Sequence, residues 1–311
     1  MTSFAIYTNR KYILNLNFTS IMGKVRNSAN TVRTGRIGEN TWYVRDGIQI
    51  IRQRMNNSNY GEGASRTEKQ QERRARWANL VNIYKAMKAW QPKAYESKKR
   101  GQTDYNVFMQ LNVNDSPIYL TKDMATNGCA VAWTYQISRG SLPPIELAYN
   151  STDGVVVSDI VITSAVSSTT TIGALSADII ANNPNFKDGD NIALAVLQQQ
   201  EDGREYPFIK SPYQELTLDS ASTALLSTLE IYKYIDQTAA AALTLKAPSA
   251  TSFPAVCLAL IHTRLGASLQ VSTQSFVQCA AAAWTDYIGE TWAQECIESY
   301  GINGEVMLDP N

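Results

Sequence analysis

The chain has 311 residues, with 28 Lys and Arg balancing 28 Asp and Glu, 44% hydrophobic and 9% aromatic residues, enough apolar material for real cores and too much for wholesale disorder. The balance hides a split, because residues 1–110 hold 20 Lys/Arg against 7 Asp/Glu, net +13, while residues 111–311 hold 8 against 21, net −13. The longest apolar stretches, such as Phe253 to Ile261, fall short of the ~20 residues of a membrane span, so no membrane partner is expected; cysteines at 129, 257, 279 and 296 lack the close spacing of a metal knuckle or disulfide framework, and reduced buried thiols and synthesis in the cytoplasm are expected.

Residues 1–21 read as an N-terminal tail, because Met22 opens MGKVRN and offers a second start. Residues 22–110 form a basic hairpin and helical module. From Thr34 to Arg54 two segments rich in β-branched and aromatic residues meet at Asp46-Gly47, a dipeptide suited to the positive φ values of a hairpin turn. The polar segment 55–65 has linker composition, and Gly61 and Gly63 in it complete no phosphate-binding pattern. Ser65-x-x-Glu68 matches a capping box, so a helix is expected there, with Trp77, Leu80, Val81 and Tyr84 as its apolar stripe. Pro92 ends or kinks it, and Thr103 caps a short helix holding Tyr105, Phe108, Met109 and Leu111.

Residues 111–311 form an acidic β-rich region ending in a helix. Alternating runs at 155–166 and 191–200, with turn pairs at Asp153-Gly154, Asp188-Gly189 and Asp202-Gly203, predict an antiparallel sheet or sandwich. Residues 223–245 read as mixed structure, and 256–276 as a hairpin turning near Gly266. A helix is expected over about 280–300, docking by Trp284, Ile288, Trp292 and Cys296 at every fourth position. The Thr and Ser residues at 163 and 167–171 read as a polar scaffold surface.

MGKVRN, Arg33-x-Gly35, Gly47-x-Gln49-x-x-Arg52, Thr67-x-x-Gln70-Gln71, Tyr105-Asn106-x-Phe108 and Ser138-Arg139-Gly140-Ser141-Leu142-Pro143 together resemble a family without an assigned activity, a domain of unknown function common in gut Bacteroidota and their mobile elements. Weaker echoes follow in Val271-Ser272-Thr273 and Ser299-Tyr300-Gly301. The resemblance implies a basic hairpin, then helices, then an immunoglobulin-like antiparallel β-sandwich. It transfers no catalytic residue, and the phage-like setting implies a role in a bacteriophage virion only by association.

His262 is the single histidine, which removes multi-histidine metal sites and leaves one candidate base for nucleophilic catalysis; an ordinary strand residue is the expectation. Asp188-Gly189-Asp190-Asn191 opens like a calcium loop but lacks the downstream acid, so a turn is expected. No catalytic, cofactor or metal site is expected, and the chain reads as non-enzymatic. The contact residues the sequence offers are Arg33, Arg36, Trp42, Tyr43, Arg45 and Arg52, with Arg54, Arg73, Arg74 and Arg76 following; guanidinium groups beside aromatic rings suit carboxylate, phosphate or base contacts. Three readings stay open: docking on the acidic half of another copy or another structural protein, nucleic-acid binding, and a solvated surface. The expected fold class is α+β, and the expected function is structural: a homo-oligomeric virion component of ring, neck, tail or capsid, with a nucleic-acid-binding protein as the alternative.

Overall fold

The computed structural model describes residues 22–25, 34–37, 40–45, 48–53, 67–201, 206–239, 241–248, 255–280 and 283–301, and the chain divides into two compact units, Met1–Ala64 and Ser65–Asn311. The first unit contains a four-stranded antiparallel sheet of β1 (Met22–Val25), β2 (Gly35–Ile37), β3 (Asn40–Arg45) and β4 (Ile48–Gln53), in the order β1-β4-β3-β2. Arg45 pairs with Ile48, so the β3–β4 hairpin expected from Asp46-Gly47 forms, although that dipeptide lies outside the described residues, as do the tail 1–21, Gly61, Gly63 and Ser65.

The second unit opens with α1 (Glu68–Ala86), α2 (Asp104–Asn112) and α3 (Lys122–Thr126). Next come β5 (Gln136–Ser138), β6 (Leu147–Asn150) and β7 (Val155–Val161), then α4 (Ile172–Asn182). Strands β8 (Asn191–Glu201), β9 (Pro207–Lys210), β10 (Tyr213–Thr217) and β11 (Ala242–Lys246) follow. The chain then runs through β12 (Val256–Leu265), β13 (Leu269–Val271), β14 (Gln274–Ser275) and β15 (Val277–Ala280) to α5 (Glu290–Ser299).

The central sheet is organised by β8 and β12, paired in register from Asn191↔Thr263 to Gln198↔Val256. Strands β9 and β10 pair with β8 along its other edge, and β13 and β15 with β12. Because strand side chains alternate between faces, Ile192, Leu194, Val196, Val256, Leu258 and Leu260 point one way. There they join one apolar core with Val156 and Ile160 of β7, Leu243 and Leu245 of β11, and Leu175 and Ile179 of α4. The opposite face carries Ala193, Ala195, Cys257 and Ala259, and its small side chains admit Trp90, Tyr95, Phe108 and Tyr135 beside Leu80 and Ile83 of α1. Register sets Ala195 against Ala259, so small residues meet small residues where the bulky rings descend. The unit is thus layered: helices, central sheet, and the smaller antiparallel sheet β11-β7-β6. Helices and antiparallel sheets together make the chain α+β.

Several boundaries differ from the sequence reading. Helix α1 starts at Glu68 with Thr67, not Ser65, at its N-cap. Its inward face keeps only part of the expected stripe: Leu80 is buried and Tyr84 packs against the same core, but Trp77 is 42% exposed, and Gln71, Ala75, Asn79, Asn82 and Ile83 are buried instead. The buried amides have a purpose. Segment 129–135 is largely buried and forms no strand, and only part of its backbone is met by neighbours such as the Pro207 carbonyl, 2.9 Å from Ala130 N–H; buried backbone groups must be satisfied. Asn79 Oδ1 accepts from Val131 N–H at 2.9 Å and Asn82 Nδ2 donates to the Cys129 carbonyl at 2.8 Å. Gln199 Oε1 accepts from Ala132 N–H at 3.0 Å.

Helix α4 was not anticipated. Thr171 Oγ1 caps it by accepting from Ala174 N–H at 3.1 Å, and Ile172, Leu175 and Ile179 form its inward edge. Several Thr and Ser residues before it are exposed and make local bonds: Thr163 Oγ1 donates to Asp178, and Thr170 Oγ1 accepts from Ser167 N–H. At the C-terminus the expected long helix is divided. β15 extends to Ala280, a 3-10 turn covers Ala283–Tyr287, and α5 begins only after Gly289, whose φ of +93° is open to glycine and strained for other residues. Trp292 and Cys296 do dock, against Ala75 of α1 and against Tyr119.

Candidate functional site

The basic residues divide into those committed inside the molecule and those left facing outward. On α1, Arg76 is committed: its Nη2 lies 2.9 Å from Glu72 Oε1 and also donates to the Tyr119 hydroxyl, and its guanidinium covers the Tyr119 ring at 4.9 Å. Arg73 and Arg74 are exposed. Arg74 Nη1 donates to Gln71 Oε1 at 3.1 Å, and neither makes an ion pair with a described residue. Helical spacing sets both near Trp77, four and three residues on. The Trp77 ring is steadied by an edge contact to Tyr105 at 6.4 Å while its outer surface meets solvent. An indole one turn from two guanidinium groups that lack a carboxylate among the described residues can anchor a partner by apolar burial and set register by charge.

The small sheet of the first unit sorts the other candidates. Thr41 pairs with both Arg36 and Arg52, and Tyr43 pairs with Ile50, so Arg36, Arg52 and Tyr43 share one face; all three are exposed. Trp42 is opposite Ile51 and belongs to the other face, half-buried. The adjacency of Trp42 and Tyr43 in the sequence therefore separates them in space. Arg45 is placed by its backbone opposite Ile48, and Arg33 and Arg54 lie outside the described residues. Among the described residues the ion pair Lys93–Glu215, at 2.6 Å, joins the basic and acidic halves; the others stay within their own half.

His262 is bound into the interior. It is 1% exposed, stacks on Phe186 with centroids 4.3 Å apart, and shares Asp190 with Arg264, its Nε2 lying 2.8 Å from Asp190 Oδ2. Arg264 meets Asp190 with two bonds of 2.7 Å and donates a third, also 2.7 Å, to the Asn185 carbonyl. Burial lowers the His262 pKa, and the Asp190 carboxylate offsets only part of that. Burial works to raise Asp190, yet the bonds from Arg264, His262 and Lys187 N–H together hold it below the ordinary carboxylate range. The neutral imidazole therefore serves as a donor to a fixed carboxylate. A recess of about 120 Å³ touches His262, but Pro143, Asp159, Asn183, Phe186 and their neighbours line it, without a serine, threonine or cysteine. Asp188 and Gly189 make the expected turn, Asp188 accepting from Ser220 and Gly189 at φ +86°. No group of three or more His, Cys, Asp or Glu among the described residues could hold a metal ion, and no helix there is long and apolar enough to cross a membrane.

Two of the motifs that carry the family resemblance, at 138–143 and 271–273, meet each other. Gly140 N–H donates to Thr273 Oγ1 at 3.2 Å, Ser138 Oγ donates to the Ser272 carbonyl at 2.7 Å, and Leu142 bridges to Ser272. A methyl group on Gly140 would stand 2.1 Å from the Val271 carbonyl oxygen. Glu96 ties this junction by accepting from Ser141 and from Val271 N–H. Gln71 Nε2 reaches the Gly301 carbonyl at 3.2 Å. These motifs hold segments together and leave no reactive group presented. No family model, curated protein or solved structure matches the chain.

Proposed function

We propose that this protein is a non-enzymatic structural component, of the kind that builds a ring, neck, tail or capsid-associated layer of a bacteriophage virion, and that it acts through contacts between its own copies or with other structural proteins. The observation that supports the reading most is the outward face of α1, where Arg73, Arg74 and Trp77 are exposed and the two arginines lack a carboxylate among the described residues. The stacked sheets of the second unit would serve, like an immunoglobulin-like sandwich, as a rigid mount for that face. The family resemblance adds the phage setting by association. Light scattering after size-exclusion chromatography tests it: assembly is expected at low salt and loosening at high salt, and a monodisperse monomer under both conditions refutes self-assembly.

A second reading, nucleic-acid binding, is favoured by the sheet face that presents Arg36, Arg52 and Tyr43 together. It predicts that the full chain retards single- or double-stranded oligonucleotides with an affinity that falls steeply with salt; no retardation at low salt eliminates it.

A further inference from the structure

The outward face of the small sheet β11-β7-β6 has the complementary chemistry. Inward side chains of β7 fill the core, so the alternate positions Val157, Asp159 and Val161 face out, with Val157 37% and Val161 44% exposed. Register sets Ala148 and Thr244 beside Val157 and Ala242 beside Val161, so this face is made of small and β-branched side chains and has no ring of its own. Carboxylates rim it: Glu146 and Asp159 are exposed, with Asp159 N–H bonded to the Glu146 carbonyl at 3.1 Å, and Asp153 stands at the β6–β7 turn. At the Asp153 end of this face lies a groove of about 680 Å³ lined by Asn150, Asp153, Val155, Val157, Thr244 and the Asp236–Lys246 pair. An exposed apolar strip with a polar rim marks a contact surface.

We propose that this groove is the acceptor for the Arg73–Arg74–Trp77 face of a second copy of the chain, a contact that rests on the self-assembly reading above. Two observations select that occupant. The first is complementarity, an aromatic ring beside two cations on α1 against a ringless hollow with Asp153 and Asp236 in its wall and Asp159 farther along the same outward face. The second is placement. Helix α1 packs on the alanine face of the central sheet and β7 on its opposite, aliphatic face, so the two surfaces look away from each other within one molecule. One copy cannot join its own two surfaces, and each docked copy presents a fresh one, so the contact is head-to-tail and continues until a ring closes or a filament grows.

Full-length chains with Arg73→Gln and Arg74→Gln lose the donor charge, and chains with Asp153→Asn and Asp159→Asn lose the acceptor charge, without creating a reversed pair between the two variants; all four positions are exposed, and unchanged thermal unfolding verifies that each variant folds. By light scattering at low salt, the unaltered chain is expected to form higher species. Each variant alone should associate about tenfold more weakly or less, and their equimolar mixture should stop at a one-to-one dimer, since one donor and one acceptor remain. Val157→Arg, which blocks the hollow and leaves the carboxylates in place, should behave as an acceptor loss. If the acceptor variants assemble like the unaltered chain, this assignment fails while self-assembly stands. A mixture that grows past the dimer overturns the two-sided geometry, and an unaltered chain that stays monomeric at every salt overturns the reading beneath it as well.

Discussion

Arg264 and the pair Arg73 and Arg74 are the same residue type put to opposite uses. Arg264 grips Asp190 with two bonds of 2.7 Å in a setting where the carboxylate is almost fully covered, and it closes a long loop, since 74 positions separate the partners. Arg73 and Arg74 meet water on a helix whose packing is done by its other side. Partner and burial, not residue type, decide whether a guanidinium holds the fold or stays available to another molecule.

The contrast can be broken hardest at its buried end. Asp190→Ala strands Arg264 and His262 without their carboxylate, and losing one member of a buried ionic cluster is expected to cost about 3–5 kcal/mol, read as a shift in the urea midpoint at unchanged slope. Acid probes the same place more gently. Folding depresses the His262 pKa below its ordinary 6.5, so the folded chain binds fewer protons than the unfolded one there. The stability contribution is full above pH 6.5 and is lost as pH falls through and below that value, and Asp190, held below 3.8, adds a further loss at lower pH. Unfolding measured across that range should show both limbs, and His262→Gln should flatten the upper one while leaving the lower.

Arg76→Ala, which removes a guanidinium from between Glu72 and Tyr119, lies between the extremes and should cost about 1 kcal/mol in a thermal melt. Arg73→Ala should leave stability within about 0.5 kcal/mol and still weaken association at low salt. Equal stability losses at 73 and 76 would erase the distinction drawn here.

The parts of this arrangement that were legible in the sequence are local. The alternation of β8 and β12, the turn near Gly266 and the Thr103 cap, which accepts from Asn106 N–H at 3.3 Å, depend on neighbours a few residues away. On α1 the Leu80 and Tyr84 part of the stripe faces inward as its spacing predicts, but Trp77 does not, because the inner face also serves amide hydrogen bonds to segment 129–135, and an Asn at a helix position does not announce that a distant backbone needs it. Helix α4 did leave a signal, Thr171 followed by Ile172, Leu175 and Ile179, but the run of Ser and Thr before it resembled strand or turn. The division of Trp42 from Tyr43 follows from period two and needed only the register. That Asp190 would meet both His262 and Arg264, and that β7 would turn Val157 and Asp159 outward, are products of tertiary pairing and have no short-range mark.

The alanine face has one more consequence. Cys257 sits in its middle and, like Cys129, Cys279 and Cys296, is a buried cysteine outside any disulfide. Burial pushes its thiol well above its ordinary pKa, so the reactive thiolate is scarce for as long as the helices stay seated on the sheet. Every copy thus carries internal reporters that remain silent until its layers part, and the pace at which a thiol-specific dye is consumed in native buffer would count those openings directly, in a free chain and in an assembled one.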